Sequence, residues 1–315
     1  MPKANHCNYE EAYLMYKEIH NISKVSEHYK KRRSVMKREF IKLGYKYPLN
    51  IRKKGYTFKG VSRINLDLKI DYFKIIDSPE KAYFLGLIYA DGSVGVRFKG
   101  NNRQELSFRI SLEKSDMYII NMLAKEINFT EGYFENLKAP FISQNGKTYS
   151  SRLQSGISIY RKDFIQNLIN QGVVPNKTYM NLHIPEMSNN LIPHFIRGYF
   201  DGDGCIGIYK TPHNTYSVHC FITSKTKTIL EEFMKFLEDK NVYCYIKYYN
   251  DLYKLYVRQP SVLAFWNIIK PEENEPCLIR KKEKFEFYRS FKEKSLNEKL
   301  GELLENPEVD NQQPS

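Results

Sequence analysis

Three aspartates stand at the ends of two apolar, helix-like runs. Asp91 closes the first half of "YFLGLIYADGSVGV" (83–96), and Asp201 and Asp203 do the same in "FIRGYFDGDGCIGI" (195–208). A helix C-terminus is the negative end of the macrodipole, so carboxylates there are disfavoured. Two such carboxylates brought together also repel. A divalent cation relieves both penalties, because hard carboxylate and carbonyl oxygens suit Mg²⁺, with Mn²⁺ or Ca²⁺ as substitutes. The chemistry expected of Asp91 and Asp203, with backbone oxygens from Ala90 and Gly202, is metal-assisted phosphodiester hydrolysis.

The elements that must position them are helices. Each run begins at a proline, Pro79 after Asp77-Ser78 and Pro193 after "SNNLI". Proline suits a first helical turn, and Asp77 with Glu80 fits a capping box. Gly86 and Gly198 fall inside these helices, where glycine costs about 1 kcal/mol relative to alanine. Close helix–helix approach would offset that cost. Gly86 with Ala90, and Gly198 with Gly202, lie four apart on one face. These four residues are the expected helix interface, and packing them together delivers Asp91 and Asp203 to one place.

The two runs belong to an internal repeat. They align at an offset of 112, and "ISLEKSDMYIINML" (110–123) aligns with "CFITSKTKTILEEF" (220–233) at 110, superposing Ile119 on Ile229 and Lys114 on Ser224. Each copy reads helix, two strands, helix, two strands, helix. The fold class is therefore α+β, a pseudo-two-fold tandem of αββαββα repeats at 77–185 and 186–290. Period two sorts the strands. It leaves Gly95, Arg97, Lys99, Ser107, Arg109 and Ser111 outward in the first copy, and Gly207, Tyr209, Ser217, His219 and Phe221 in the second.

Ahead of the repeats, residues 1–44 read as three short helices resembling a helix-turn-helix. Apolar stripes are Tyr9, Ala12, Tyr13, Tyr16 and Ile19, then Ile22, Val25 and Tyr29, then Met36, Phe40 and Leu43, with Gly44 as a C-cap. The third helix would expose Arg33, Ser34, Lys37 and Arg38 to a groove. The preceding turn, "YKKRR", lacks the glycine such turns often carry. Residues 45–76 read as a basic linker, with Arg52, Lys53 and Lys54 available to phosphates. Residues 291–315 read as an acidic tail, frayed at its end.

Charge agrees with an anionic partner. The chain of 315 residues has a net charge of +13, and residues 1–75 hold 18 Lys and Arg against 7 Asp and Glu. A basic arm on a near-neutral body points to nucleic acid. Five cysteines lie far apart without CxxC spacing, against a zinc site or disulfide frame. No apolar run is long enough to span a membrane. There is no HExxH, Walker-type loop or GxSxG.

"FLGLIYADG" (84–92) and "IRGYFDGDG" (196–204) each resemble the nine-residue signature of the LAGLIDADG homing endonucleases. That resemblance covers about 77–290. It implies saddle-shaped antiparallel sheets laid on double-stranded DNA, and one chain working as a monomer that cuts a long pseudo-symmetric site. The eighth signature residue is the metal-binding acid, here Asp91 and Asp203. A lysine in each half contacts water or phosphate; the matching residues are Lys177 in "VVPNKTY" and Lys281 in "CLIRKKEKF", with Lys282 as the alternative. Lys114 and Ser224 match a polar position that orients water. Asp201 sits at the sixth position, where the first copy has Tyr89, and is expected to be solvated or helix-capping. The outward strand residues Arg97, Lys99, Ser107, Arg109, Ser111, Tyr209, Ser217 and His219 would meet DNA. The expectation is a free-standing enzyme, cytoplasmic or nucleoid-associated, with an organellar location as the alternative. The other readings are a catalytically silent DNA-binding regulator on the same body and an RNA maturase.

Overall fold

The computed structural model describes residues 8–19, 22–45, 67–99, 103–138, 141–142, 148–149, 152–177, 180–213 and 215–305. The chain divides into two compact units, Met1–Val61 and Ser62–Ser315. Arg52, Lys53 and Lys54 lie outside the described residues, as does the side chain of Lys99.

The described residues of the first unit form three helices, α1 (Tyr9–Ile19), α2 (Ile22–His28) and α3 (Arg33–Lys42). Asn8 caps α1, its side-chain oxygen accepting from the amides of Glu10 and Glu11 at 3.1 and 3.4 Å. The apolar stripes meet in a small core of Ala12, Tyr13, Tyr16, Val25, Met36 and Phe40. Lys30 takes the left-handed conformation (φ 51°) between α2 and α3, standing in for the missing turn glycine. Gly44 (φ 73°) ends α3, and the Tyr45 amide donates back to the Phe40 carbonyl at 2.9 Å. Leu43, expected in the third stripe, is instead 49% exposed, because the chain unwinds there.

In the second unit, α4 (Pro79–Asp91) leads into β1 (Gly92–Lys99) and β2 (Arg103–Glu113), followed by α5 (Met117–Glu126). Strand β3 (Tyr133–Lys138), a small hairpin of β4 (Phe141–Ile142) and β5 (Thr148–Tyr149), β6 (Arg152–Ile159) and α6 (Lys162–Asn170) complete the first copy. The second copy runs α7 (Ile192–Asp203), β7 (Gly204–Lys210), β8 (Tyr216–Ser224), α8 (Lys227–Glu238), β9 (Cys244–Tyr249), β10 (Leu252–Val257) and α9 (Val262–Ile269). A 27-residue helix, α10 (Ile279–Glu305), follows. Each copy forms a four-stranded antiparallel sheet, ordered β1-β2-β6-β3 and β7-β8-β10-β9. The fold is α+β with two αββαββα halves.

Four expectations are corrected. Ser78, not Asp77, is the N-cap of α4, accepting from the Lys81 amide at 3.3 Å, while Asp77 pairs with the Lys81 ammonium at 2.7 Å. Residues 67–76 are not linker: Leu68, Tyr72, Phe73 and Ile76 are buried in the main core. The tail read from 291 starts within α10, which continues to Glu305, and its end lies outside the described residues. Strand register also departs from the expected superposition. Gly92 pairs with Ile110 and Gly204 with Ile222, so the strands keep the offset of 112. A 3₁₀ turn at Lys114–Asp116 adds the residues that restore 110 at the helices. Ser224 is thus the counterpart of Leu112, not of Lys114.

Candidate active site at the paired helix ends

α4 and α7 lie side by side at their glycines. A Cβ built on Gly86 would run into the Phe195 carbonyl, and one on Gly198 into the Tyr83 carbonyl. At Gly202 it would strike the Ala90 methyl and come within 2.8 Å of an Asp91 carboxylate oxygen. Glycine at these three positions allows the close approach, which recovers its helical cost. Gly86, Ala90, Gly198 and Gly202 all lie in this seam.

The pairing puts Asp91 and Asp203 at the same end. Asp91 is exposed and Asp203 partly so. Desolvation raises the Asp203 carboxyl to about 6; the nearby Asp91 charge adds to this, while Lys177 and Lys281 pull the other way. The two carboxylates therefore repel across the seam.

Lys177 and Lys281 lie at the same helix ends. The Lys177 ammonium donates to the carbonyls of Ile88 (2.9 Å), Tyr89 and Ala90 (3.0 Å). That of Lys281 donates to Phe200 (2.6 Å), Asp201 (2.8 Å) and Gly204 (2.6 Å). Each thus places three donors on carbonyls at a helix C-terminus, of which those of Ile88 and Phe200 also accept from the capping amides of Gly92 and Gly204. Burial lowers both lysines to about 8, against the pull of nearby carboxylates. The resemblance expects these lysines to touch water or phosphate; here they close the backbone. Lys281 is 5% exposed whereas Lys282 is exposed, so Lys281 is the residue at this end. The Ala90 carbonyl, expected to face a metal, accepts from Lys177.

Residues 191–270 match the family model of a LAGLIDADG-like domain. The match falls on the second repeat, which is similar to that domain. A search of curated proteins found no match. Similar solved structures include I-DmoI in complex with DNA and Ca, at 16% identity over 67% of this chain and 96% of that one, with a TM-score of 0.41. The LAGLIDADG meganuclease I-AabMI bound to uncleaved DNA is 16% identical over 70% and 92%, with a TM-score of 0.43. The LAGLIDADG homing endonuclease I-GzeII with its DNA target is 13% identical over 74% and 92%, with a TM-score of 0.42.

Asp201, in α7, is neither solvated nor capping. It is 4% exposed and accepts from the Tyr83 hydroxyl and the Leu278 amide, both at 2.8 Å. It ties the first helix to the segment that carries Lys281. Arg197, which no sequence motif singles out, is buried beside it and bonds Glu275 (2.7 Å) and the carbonyls of Pro276 and Ile269 (3.2 and 3.3 Å). A charged residue amid the apolar positions of a signature helix is the signal that could have revealed this anchor.

The strands split as period two requires. Arg97, Arg109, Tyr209 and His219 are exposed, and Ser107, Ser111 and Ser217 partly so. Ser224 does not belong with them: it is 6% exposed and accepts from the Tyr199 hydroxyl at 3.1 Å. Lys114 is exposed and pairs with Glu135 at 3.2 Å. In the N-terminal unit, Arg33, Ser34, Lys37 and Arg38 are exposed on α3. Arg33 donates to Ser23 at 3.3 Å, and Arg38 pairs with Glu39 at 3.2 Å.

Among the described residues, no cluster of three His, Cys, Asp or Glu side chains could hold a metal. Two carboxylates brought to one end of the seam still fit Mg²⁺. That ion keeps several waters and commonly takes one or two carboxylates plus substrate phosphate oxygens.

Proposed function

We propose that this chain is a divalent-metal-dependent DNA endonuclease that works as a monomer and cuts both strands of a long, pseudo-symmetric duplex site across its minor groove. The observation that carries the reading is the convergence of Asp91 and Asp203 at one end of a glycine-packed helix pair that opens directly into two antiparallel sheets.

The acids come from the two halves of one chain, so one molecule supplies the whole pair. Asp91 and Asp203 would hold the ion, with the Gly202 carbonyl beside them. When bound, it supplies Lewis-acid stabilisation of charge on the scissile phosphodiester. The lysines keep the helix ends closed, and their positive charge moderates the repulsion between the carboxylates. The sheets hold the duplex in register through their outward side chains, and α3 of the N-terminal unit extends the footprint with its exposed cations.

The test is cleavage of a randomised plasmid library by the full chain with Mg²⁺, followed by sequencing of the ends. Paired double-strand ends recurring at one sequence are expected. Retention of DNA without any ends would leave a DNA-binding protein with no nuclease activity.

A further inference from the structure

The outward faces of the two sheets differ in chemistry. On the first, Arg109 and Ser111 of β2 stand beside Ser158 and Gly156 of β6, and Phe134 of β3 pairs with Gly156. Gly156 has no side chain, so Phe134 reaches across it and the Arg109 guanidinium rests 3.8 Å from the ring centroid. A guanidinium held against a ring is a positioned fork, suited to reading guanine O6 and N7 together. Serines, Gln154 and Asn136 surround it, and the acids Glu105 and Glu113 fall on this face with the cations Arg97 and Arg152. This face offers hydrogen bonds of both kinds.

The second face is made of rings and lysines. Tyr245 stacks on Tyr256 with centroids 5.3 Å apart, and Phe221 lies 5.4 Å from Tyr256. Lys254 sits over Phe221 at 4.9 Å and Lys247 over Tyr245 at 5.4 Å. Tyr209, 56% exposed, stands beside His219 at 5.1 Å. No Asp or Glu occupies an outward register position on β7, β8, β9 or β10. An exposed apolar patch studded with cations marks a binding surface. Its charge, and its place beside the carboxylate pair, match a duplex. There, lysines meet phosphates and rings meet the one apolar group of the major groove, the thymine methyl.

We infer that the two halves of the DNA site are read by different chemistry: the half under the first sheet by hydrogen bonds centred on guanine at Arg109, the half under the second by thymine methyl contacts set among phosphate-binding lysines. The inference rests on the DNA-binding reading above and deepens it.

The experiment uses the full-length D91N/D203N double variant, so that bound DNA stays intact, and selects duplexes from a random library in Ca²⁺. The selected duplex is then remade with deoxyuridine for thymidine in one half at a time. One half should require guanine and lose about ten-fold in affinity with Arg109→Ala. The other should weaken about four-fold for each contacted methyl removed. Tyr249 lies under Lys254 at 5.6 Å on the same face as Tyr209. Tyr209→Ala or Tyr249→Ala should blunt that methyl dependence and leave the guanine half untouched. Equal use of guanine in both halves, or indifference to deoxyuridine throughout, overturns the inference while sparing the DNA-binding reading. Failure to enrich any duplex sinks the DNA-binding reading and the inference with it.

Discussion

At the scale of single residues, Lys177 and Lys281 decide how two helices can end in acids. Six carbonyls at the ends of α4 and α7 accept from these two ammonium groups. Lys281→Met removes the donor but keeps most of the packing, taking from the carbonyls of Asp201 and Gly204 their ammonium partner, while Phe200 keeps the Gly204 amide. A decrease of about 1–3 kcal/mol in stability is expected, read as a lower urea midpoint at an unchanged slope. Asp201→Ala should cost a similar amount, because it strands the Tyr83 hydroxyl and the Leu278 amide; Asp201→Asn, which keeps an acceptor oxygen, should cost less. Asp91 and Asp203 were legible as acids in a repeated motif. Asp201 was not, because its partner Tyr83 lies 118 positions away and no local rule joins them. Ser224 misled for a related reason. Its type is polar and its position follows a strand, but its register places it inward against Tyr199.

At the scale of elements, the glycine seam is the feature on which the site depends. Gly198→Ala would drive a methyl into the Tyr83 carbonyl, which is backbone and cannot swing away. The helices must separate, with a cost of about 1–3 kcal/mol for overpacking. Cleavage should fall even where thermal unfolding shows a folded protein, because the carboxylates part with the helices. The helices, strand faces and repeat were readable because burial imposes a period on each element. Connections were not. The 3₁₀ turn at Lys114–Asp116 changes the offset between copies, and residues 67–76 pack into the core through Leu68, Tyr72 and Phe73 without a long periodic run to announce them. The ring-and-lysine face of the second sheet was visible in principle, in the alternation of "CYIKYY" (244–249) and "LYKLYV" (252–257). Its meaning emerges only when register sets the two strands side by side.

At the scale of the whole molecule, charge is concentrated in the N-terminal 75 residues while the carboxylate pair sits in the repeat body. Replacing Arg33, Lys37 and Arg38 of α3 together with alanine should weaken DNA binding across sequences alike. It should also flatten the salt dependence, lowering the slope of log affinity against log salt by about one for each phosphate no longer neutralised. These side chains are exposed, so stability should hold. The catalytic account stands or falls on Asp91 and Asp203 acting as one pair. The decisive measurement times conversion of a target-bearing supercoiled plasmid to linear DNA by the wild type, Asp91→Asn and Asp203→Asn, with binding measured in parallel. Linear product from the wild type alone, with both variants still binding the target, is the expected result. Linearisation at the wild-type rate by either variant would contradict it.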